Sequence, residues 1–527
     1  MSVDPDIRGW IAGARARLEA AQPAPRLTRT GLVERIGDGV ATVSGLPGTR
    51  LDELLRFENG AAGVAMKISE REIGCVLLGS DEGISAGSRV HGTGEIIRVP
   101  VGEALLGRVV DATGTPLDDG PPIEAERFDP VERPAPGIVD RELVTEPLIT
   151  GLTVIDAMIP LGRGQRELII GDRKTGKTTL AIDTMISQRH TDVICVYAAI
   201  GQKASTVARV IEAVRRHGAP ERCVFVAGTA DAAPGAQWTA PYAACTIAEH
   251  FRDQGRDALL ILDDLSKHAI IYRQISLLLR KPPGREAYPG DIFYLHARLL
   301  ERAAKLSDDL GGGSLTALPI AETQAGNLTA FIPTNLISIT DGQIYLEPKL
   351  FFEGQKPAVN VGLSVSRVGG ATQAKAIKAL AETLKLDYAQ FLELEVFTRF
   401  GAMTDERTRA RIEHGRRIRA ILAQPEYDPL PLSLQVGLLL AVGEGKLDGV
   451  DPAAVPQFRD ELRRHLRDAC PSVAARIDDT GQLTDEDRAV LLQEIEACLA
   501  NLPRGSQDEG AEDGASGEGQ GAPDEPH

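Results

Sequence analysis

Residues 167–178 read Glu-Leu-Ile-Ile-Gly-Asp-Arg-Lys-Thr-Gly-Lys-Thr. Three apolar residues run into the pattern Gly-x-x-x-x-Gly-Lys-Thr, and Thr178 begins a helical stretch that reaches Gln188. A buried strand, a glycine-bounded loop and a helix, in that order, form the setting in which this motif holds phosphate. Gly171, Asp172, Arg173, Lys174, Thr175, Gly176, Lys177 and Thr178 are expected to wrap backbone amides around phosphates at a helix N-terminus. Lys177 should reach the β- and γ-phosphates, and the Thr178 hydroxyl should ligate Mg²⁺.

Outward from this loop, residues of about 145–365 alternate strand and helix. Val193 to Ala199, Cys223 to Ala227 and Ala258 to Leu262 are continuous apolar runs, as expected of parallel strands covered on both faces. This predicts a mostly parallel sheet with crossover helices. The run ending at Leu262 continues into Asp263 and Asp264. A carboxylate at that strand end is placed to hold Mg²⁺ through water, and the alternative is a pair of acids capping the next turn. Hydrolysis also needs a group that accepts a proton from the attacking water. The strand ending at Ala199 instead continues Ile-Gly-Gln202-Lys. An amide can orient water but cannot take its proton, so slow turnover is expected. Asn360 to Gly370 is a strand that delivers Arg367 beside glycines. Taken alone it is a surface arginine; the sharper reading is a rigid fork that stabilises charge on a γ-phosphate.

The flanks differ in pattern. From Thr30 to about Pro100, short strands bounded by Gly, Asp or Asn recur at close spacing, which predicts a small β-barrel. After Gly370 the stretches 373–398, 405–424, 433–446 and 456–499 carry helical spacing, which predicts an α-helical bundle. Residues 4–22 also look helical, with Asp4 as cap and Ile7, Trp10, Ile11, Ala14 and Leu18 on one face. The expected division is therefore an N-terminal amphipathic helix (1–25), a β-barrel (26–96), a P-loop nucleotide-binding α/β domain (97–372), a helical domain (373–502) and a tail (503–527).

Net charge is −17 over 527 residues, and the tail contributes −6 of it, with seven acidic residues against Arg504. That tail lacks aromatic and β-branched residues and is expected to be disordered. An acidic body argues against a nucleic-acid partner. Six scattered cysteines without paired spacing read as buried thiols rather than metal ligands. No run approaches the ~18 apolar residues needed to span a bilayer, and Met1 to Trp10 lacks a signal-like core. The chain is expected in the cytoplasm, with the option of docking on a membrane complex.

Several long stretches resemble the alpha subunit of F-type ATP synthases: Ile159 to Arg173, Ala181 to Thr184, Ile200 to Lys203, Asp263 to Lys267, Pro282 to Asp291 and Val361 to Gly369. The resemblance covers almost the whole chain before the tail. It implies ATP or ADP with Mg²⁺ as ligands, and a ring of alternating alpha and beta subunits around a gamma shaft. It further implies a delta subunit docked through the N-terminal helix, and a position at the cytoplasmic face of a bacterial plasma membrane. In that family the position of Gln202 marks a non-catalytic, regulatory site. The position of Arg367 reaches into the neighbouring beta site, and that of Gln424 lies near the adenine. Lys174, Ala204, Lys356 and Glu426 depart from the family pattern, which suggests a divergent, alternative form of the complex. Two other readings compete. A self-sufficient secretion or flagellar-type hexameric ATPase is disfavoured by Gln202. A nucleic-acid translocase is disfavoured by the acidic body and by the lack of an aromatic-plus-basic barrel surface.

Overall fold

The structure is a computed structural model that describes residues 29–398 and 405–500. The expected N-terminal helix and acidic tail lie outside the described residues. The chain divides into two compact units: one runs through Leu143 and adds Arg163–Arg173 and Thr191–Gln343, and the other takes Val144–Gly162, Lys174–His190 and the chain from Ile344.

The first unit opens with a closed six-stranded barrel. Its strands are β1 (Thr30–Gly37), β2 (Val40–Ser44), β3 (Glu53–Phe57), β4 (Ala62–Ile68), β5 (Ile73–Leu77) and β6 (Arg89–Ile96), in the order β1-β2-β5-β4-β3-β6. Burial alternates along β3, where Leu55 and Phe57 face inward and Arg56 faces out. The barrel core gathers Val33, Val43, Leu55, Phe57 and Val90, as the two-residue period of a half-buried strand requires.

The same unit holds six parallel strands: β7 (Val109–Val110), β8 (Leu168–Asp172), β9 (Ile194–Gln202), β10 (Cys223–Thr229), β11 (Asp257–Asp263) and β12 (Ser314–Thr323). Their spatial order is β8-β12-β11-β9-β10-β7, every neighbouring pair being parallel. Strands β9 and β11 are buried almost throughout, which explains their unbroken apolar sequences. Strand β12 was not anticipated from the sequence, yet it lies between β8 and β11.

In the second unit, helix α1 (Lys177–Ser187) follows the phosphate loop, and a bundle forms the C-terminal part. The bundle comprises α2 (Lys375–Thr398), α3 (Glu406–Leu422), α4 (Leu432–Gly443), α5 (Val455–Asp468), α6 (Pro471–Thr480) and α7 (Asp485–Leu499). Helix α4 is buried on every side from Leu432 to Val442 and forms the centre of the bundle. Leu438, Leu439 and Leu440 are completely buried, each contributing about 1.5–3 kcal/mol by leaving water. Helix α5 lies against it with Val455, Phe458, Leu462 and Leu466 on one face. The helical stretch expected over 456–499 is three helices. Pro471 starts α6 as its first residue, and Gly481 ends it in the left-handed conformation (φ 64). All six cysteines are buried and unbridged. Among the described residues no helix is long and apolar enough to cross a membrane.

Candidate functional site: a phosphate loop, a carboxylate held by an amide, and a pocket

In the first unit, Asp172 ends β8, and its carboxylate accepts from the Thr323 hydroxyl at 2.5 Å and from Gly326 N at 2.8 Å. Asp172 thus anchors the start of the phosphate loop to the turn after β12, while Arg173 is exposed.

Asp263 closes β11 and is almost fully buried. Its two oxygens meet two neutral donors: Tyr197 OH donates to Oδ2 and Gln202 Nε2 to Oδ1, each at 2.7 Å. The backbone explains why Gln202 reaches it. Strand β9 pairs with β10 in regular register as far as Ile200, then slips so that Gln202 faces Thr229. The slip is at Gly201, whose φ of 60 is cheap for glycine, and a bulge of this kind re-aims the following side chain. A carboxylate at a strand end is the type of group that suits a water-mediated contact to a hard cation.

Asp264 has the other role that the sequence left open. Its carboxylate accepts from Lys267 N at 2.7 Å, capping the helix Leu265–Leu278, and pairs with Lys267 Nζ at 3.0 Å. Burial pushes its pKa up to about 6, with Lys267 opposing the shift and Asp263 adding to it.

In the second unit, the loop continues through Lys174, which is exposed and left-handed (φ 66). A lysine there carries backbone strain that a glycine would not. Gly176, with φ 95, is the N-cap of α1 and as a glycine brings no capping side chain. First-turn amides at a helix start form an anion site. Lys177 is 6% exposed and Thr175 3%, whereas Thr178 is half-buried.

Beside this turn lies a pocket. Thr175, Gly176, Thr179, Leu180 and Asp183 form one wall; Leu346, Phe351 and Lys356 to Ala358 form another; Gln424 to Glu426 complete it. Gln424 is buried, and its amide bridges backbone: Nε2 donates to Gly151 O at 2.9 Å, and Oε1 accepts from Thr153 N at 2.6 Å. Gln424 therefore shapes the wall, held by one N–H and one lone pair of its amide. Lys356 Nζ lies 5.1 Å from the centre of the Phe351 ring. Asp183 accepts from Tyr427 N at 2.8 Å. Burial, with the Glu426 and Asp428 charges adding to it, pushes Asp183 up to about 7.

Arg367 follows the short strand Val365–Ser366 and is exposed. Its neighbour Ser366 is tied down, donating to Pro160 O at 2.9 Å and accepting from Gly369 N at 3.2 Å. Among the departures, Ala204 is exposed in the first turn of the helix Ala204–His217. Sequence reasoning gave no part to Tyr197, Asp183 or Phe351. Tyr197 sits within an apolar strand and Asp183 within an apolar helix, so a polar group amid buried neighbours was the available signal.

Three family models match in chain order: the beta-barrel domain of the ATP synthase alpha/beta family over residues 29–94, its nucleotide-binding domain over 151–366, and the C-terminal domain of the alpha/beta chain over 373–498. ATP synthase subunit alpha 3 of Paraburkholderia xenovorans (strain LB400) is 55% identical over 493 residues, 93% of each chain. The chain belongs to the ATP synthase alpha-subunit family. Subunit alpha 2 of Gluconobacter oxydans (strain 621H) is 55% identical over 94% of this chain and 98% of its own. Subunit alpha 1 of P. xenovorans is 57% identical over 87% and 90%. The three-part layout of this family, barrel, nucleotide-binding α/β domain and helical domain, is the one anticipated from the sequence. The chain is a component of an ATP synthase, with a nucleotide-binding domain for ATP or ADP.

Proposed function

We propose that this chain is the regulatory, non-catalytic subunit of the ATP synthase head, binding a magnesium nucleotide without turning it over. Lys177 and the loop amides hold the phosphates, and Thr178 and Asp263 are the residues assigned to Mg²⁺, the latter through water. Bound there, the ion would neutralise phosphate charge. The observation that carries this reading is the bond from Gln202 Nε2 to Asp263 Oδ1 at 2.7 Å. At the position where hydrolysis needs a base, the side chain is an amide with its NH₂ engaged, unable to accept a proton from water.

The chain then alternates with beta subunits around a gamma shaft, with a delta subunit docked through the N-terminal segment. The complex couples nucleotide chemistry to transmembrane ion transport at the cytoplasmic face of a bacterial plasma membrane. The domains at 26–96, 97–372 and 373–502 are the barrel, the nucleotide-binding domain and the helical domain of that subunit. Arg367, exposed beside the anchored Ser366, supplies a guanidinium to the neighbouring beta site. Numbered alpha subunits among the relatives support an alternative form of the complex within one host. The finger is tested by Arg367→Ala in a reconstituted alpha–beta–gamma complex. Multisite turnover should fall roughly 10³-fold or more while nucleotide binding to alpha persists. Near-normal turnover removes the role.

A further inference from the structure

Strands β9 and β11 run parallel, with Ala199 opposite Asp263 and Tyr197 opposite Ile261. The two-residue period of a strand therefore puts Tyr197 and Asp263 on one face of the sheet. Ala199 has no polar side-chain atom, and the donor comes along the diagonal instead: Tyr197 OH reaches Asp263 Oδ2 at 2.7 Å. Tyr197 is wholly buried, and its ring lies 6.4 Å, centre to centre, from that of Phe225, its register partner on β10. A buried phenol ordinarily finds a partner for its hydroxyl. Here that partner is the carboxylate assigned above to magnesium.

The plane of an aspartate carboxylate turns easily about the Cβ–Cγ bond, because that torsion is broad rather than staggered. A donor on one oxygen leaves the plane free to pivot, whereas a donor on each oxygen fixes it. Gln202 Nε2 holds Oδ1 from beyond the bulge at Gly201, and its side chain is half-buried. Tyr197 holds Oδ2 from inside the packed core and is the firmer of the two. Both donors are neutral, so they orient Asp263 without cancelling its charge. We propose that Tyr197 is a positioning residue for magnesium: its hydroxyl fixes the Asp263 carboxylate in the orientation that a water-mediated contact to the ion needs. The hydroxyl thereby sets how strongly Mg²⁺ tightens nucleotide binding to this subunit. The proposal rests on the assignment of Asp263 to Mg²⁺ made above. Groups that orient a metal's ligand without touching the ion typically carry about ten- to a hundredfold of metal affinity.

The test is equilibrium titration of the purified full-length chain with ATP, in excess EDTA and in saturating Mg²⁺. The ratio of the two affinities is the tightening that the metal supplies. Tyr197→Phe deletes the hydroxyl and keeps the ring that faces Phe225. It should leave affinity in EDTA within about twofold and lower the ratio roughly tenfold or more. In an Asp263→Asn background the same change should leave the ratio where it is, because the hydroxyl acts only through that carboxylate. A hydroxyl that only satisfies a buried bond would lower the melting midpoint and leave the ratio unchanged, and that result overturns the proposal. So does an equal effect with and without the Asp263 carboxylate, or a Tyr197→Phe chain that does not fold. If Mg²⁺ fails to tighten ATP binding to the natural chain, or Asp263→Asn leaves the tightening intact, the magnesium reading itself fails, a result distinct from the others.

Discussion

Replacing Gln202 by glutamate strikes the contact on which the non-catalytic reading rests. Gln202 Nε2 donates to Asp263 Oδ1 at 2.7 Å, so Gln202→Glu sets two carboxyl groups together and deletes a hydrogen bond. A hydrogen bond to a charged acceptor is worth roughly 1.5–3 kcal/mol. Two like charges about 4 Å apart repel by about 4 kcal/mol at an effective dielectric constant near 20. Protonation limits the damage, since a neutral carboxyl can donate to Asp263 as the amide did. Holding it neutral at pH 7, from an ordinary value near 4.3, costs about 1.4 kcal/mol per pH unit, which caps the loss at about 4 kcal/mol. The expected destabilisation is therefore about 3–4 kcal/mol at pH 7 and about 1 kcal/mol at pH 5. The sign follows from an acid whose folded-state pKa is raised: stability is present at low pH and lost as pH rises. Thermal unfolding of the full chain at the two pH values reads it as a midpoint drop of roughly 5 °C at pH 7 and little at pH 5. Adding Asp263→Asn should recover most of the loss, because an amide again faces a carboxyl. Equal midpoints for Gln202→Glu and the natural chain at both pH values would refute the contact.

Lys177→Ala removes the charge assigned to the β- and γ-phosphates; Mg-nucleotide affinity of the purified chain should fall roughly 30-fold or more, measured by equilibrium titration, with little change in melting midpoint. Asp183, pushed up to about 7 by burial and by Glu426 and Asp428, binds its proton more tightly in the folded chain than in the unfolded one. Its contribution to stability is complete below about pH 4 and lost as pH rises through about 7. Asp183→Asn keeps an acceptor for Tyr427 N. It should stabilise the folded chain at pH 8 by on the order of 2–4 kcal/mol, read as a higher melting midpoint, and by far less at pH 5.5. A gain independent of pH would show that the carboxyl is not held in the way described.

Much of this architecture was legible because burial imposes simple patterns. Strands β9 and β11 announce themselves through unbroken apolar runs, and the phosphate loop through glycines between strand and helix. Strand β12 stayed hidden because Pro319 sits inside it, paired with Leu262, where proline normally argues against a central strand. Barrel strand β6, Arg-Val-His-Gly-Thr-Gly-Glu-Ile, is mostly exposed or half-buried and shows no clean alternation. At the site, Gln202 and Asp263 were singled out separately, but their direct bond depends on the bulge at Gly201, which a linear reading does not reveal. Gln424 illustrates the opposite case. Its position at the pocket was expected, whereas the engagement of its amide by Gly151 and Thr153 depends on contacts more than 270 residues apart in sequence.

The central claim, retention of nucleotide without turnover, is tested most directly by measuring bound nucleotide and released phosphate side by side on the purified chain with Mg²⁺ and ATP. Stoichiometric binding with phosphate release no faster than in buffer is the expected result. Sustained multiple-turnover phosphate release by the isolated chain would contradict it, whatever the state of the beta subunit.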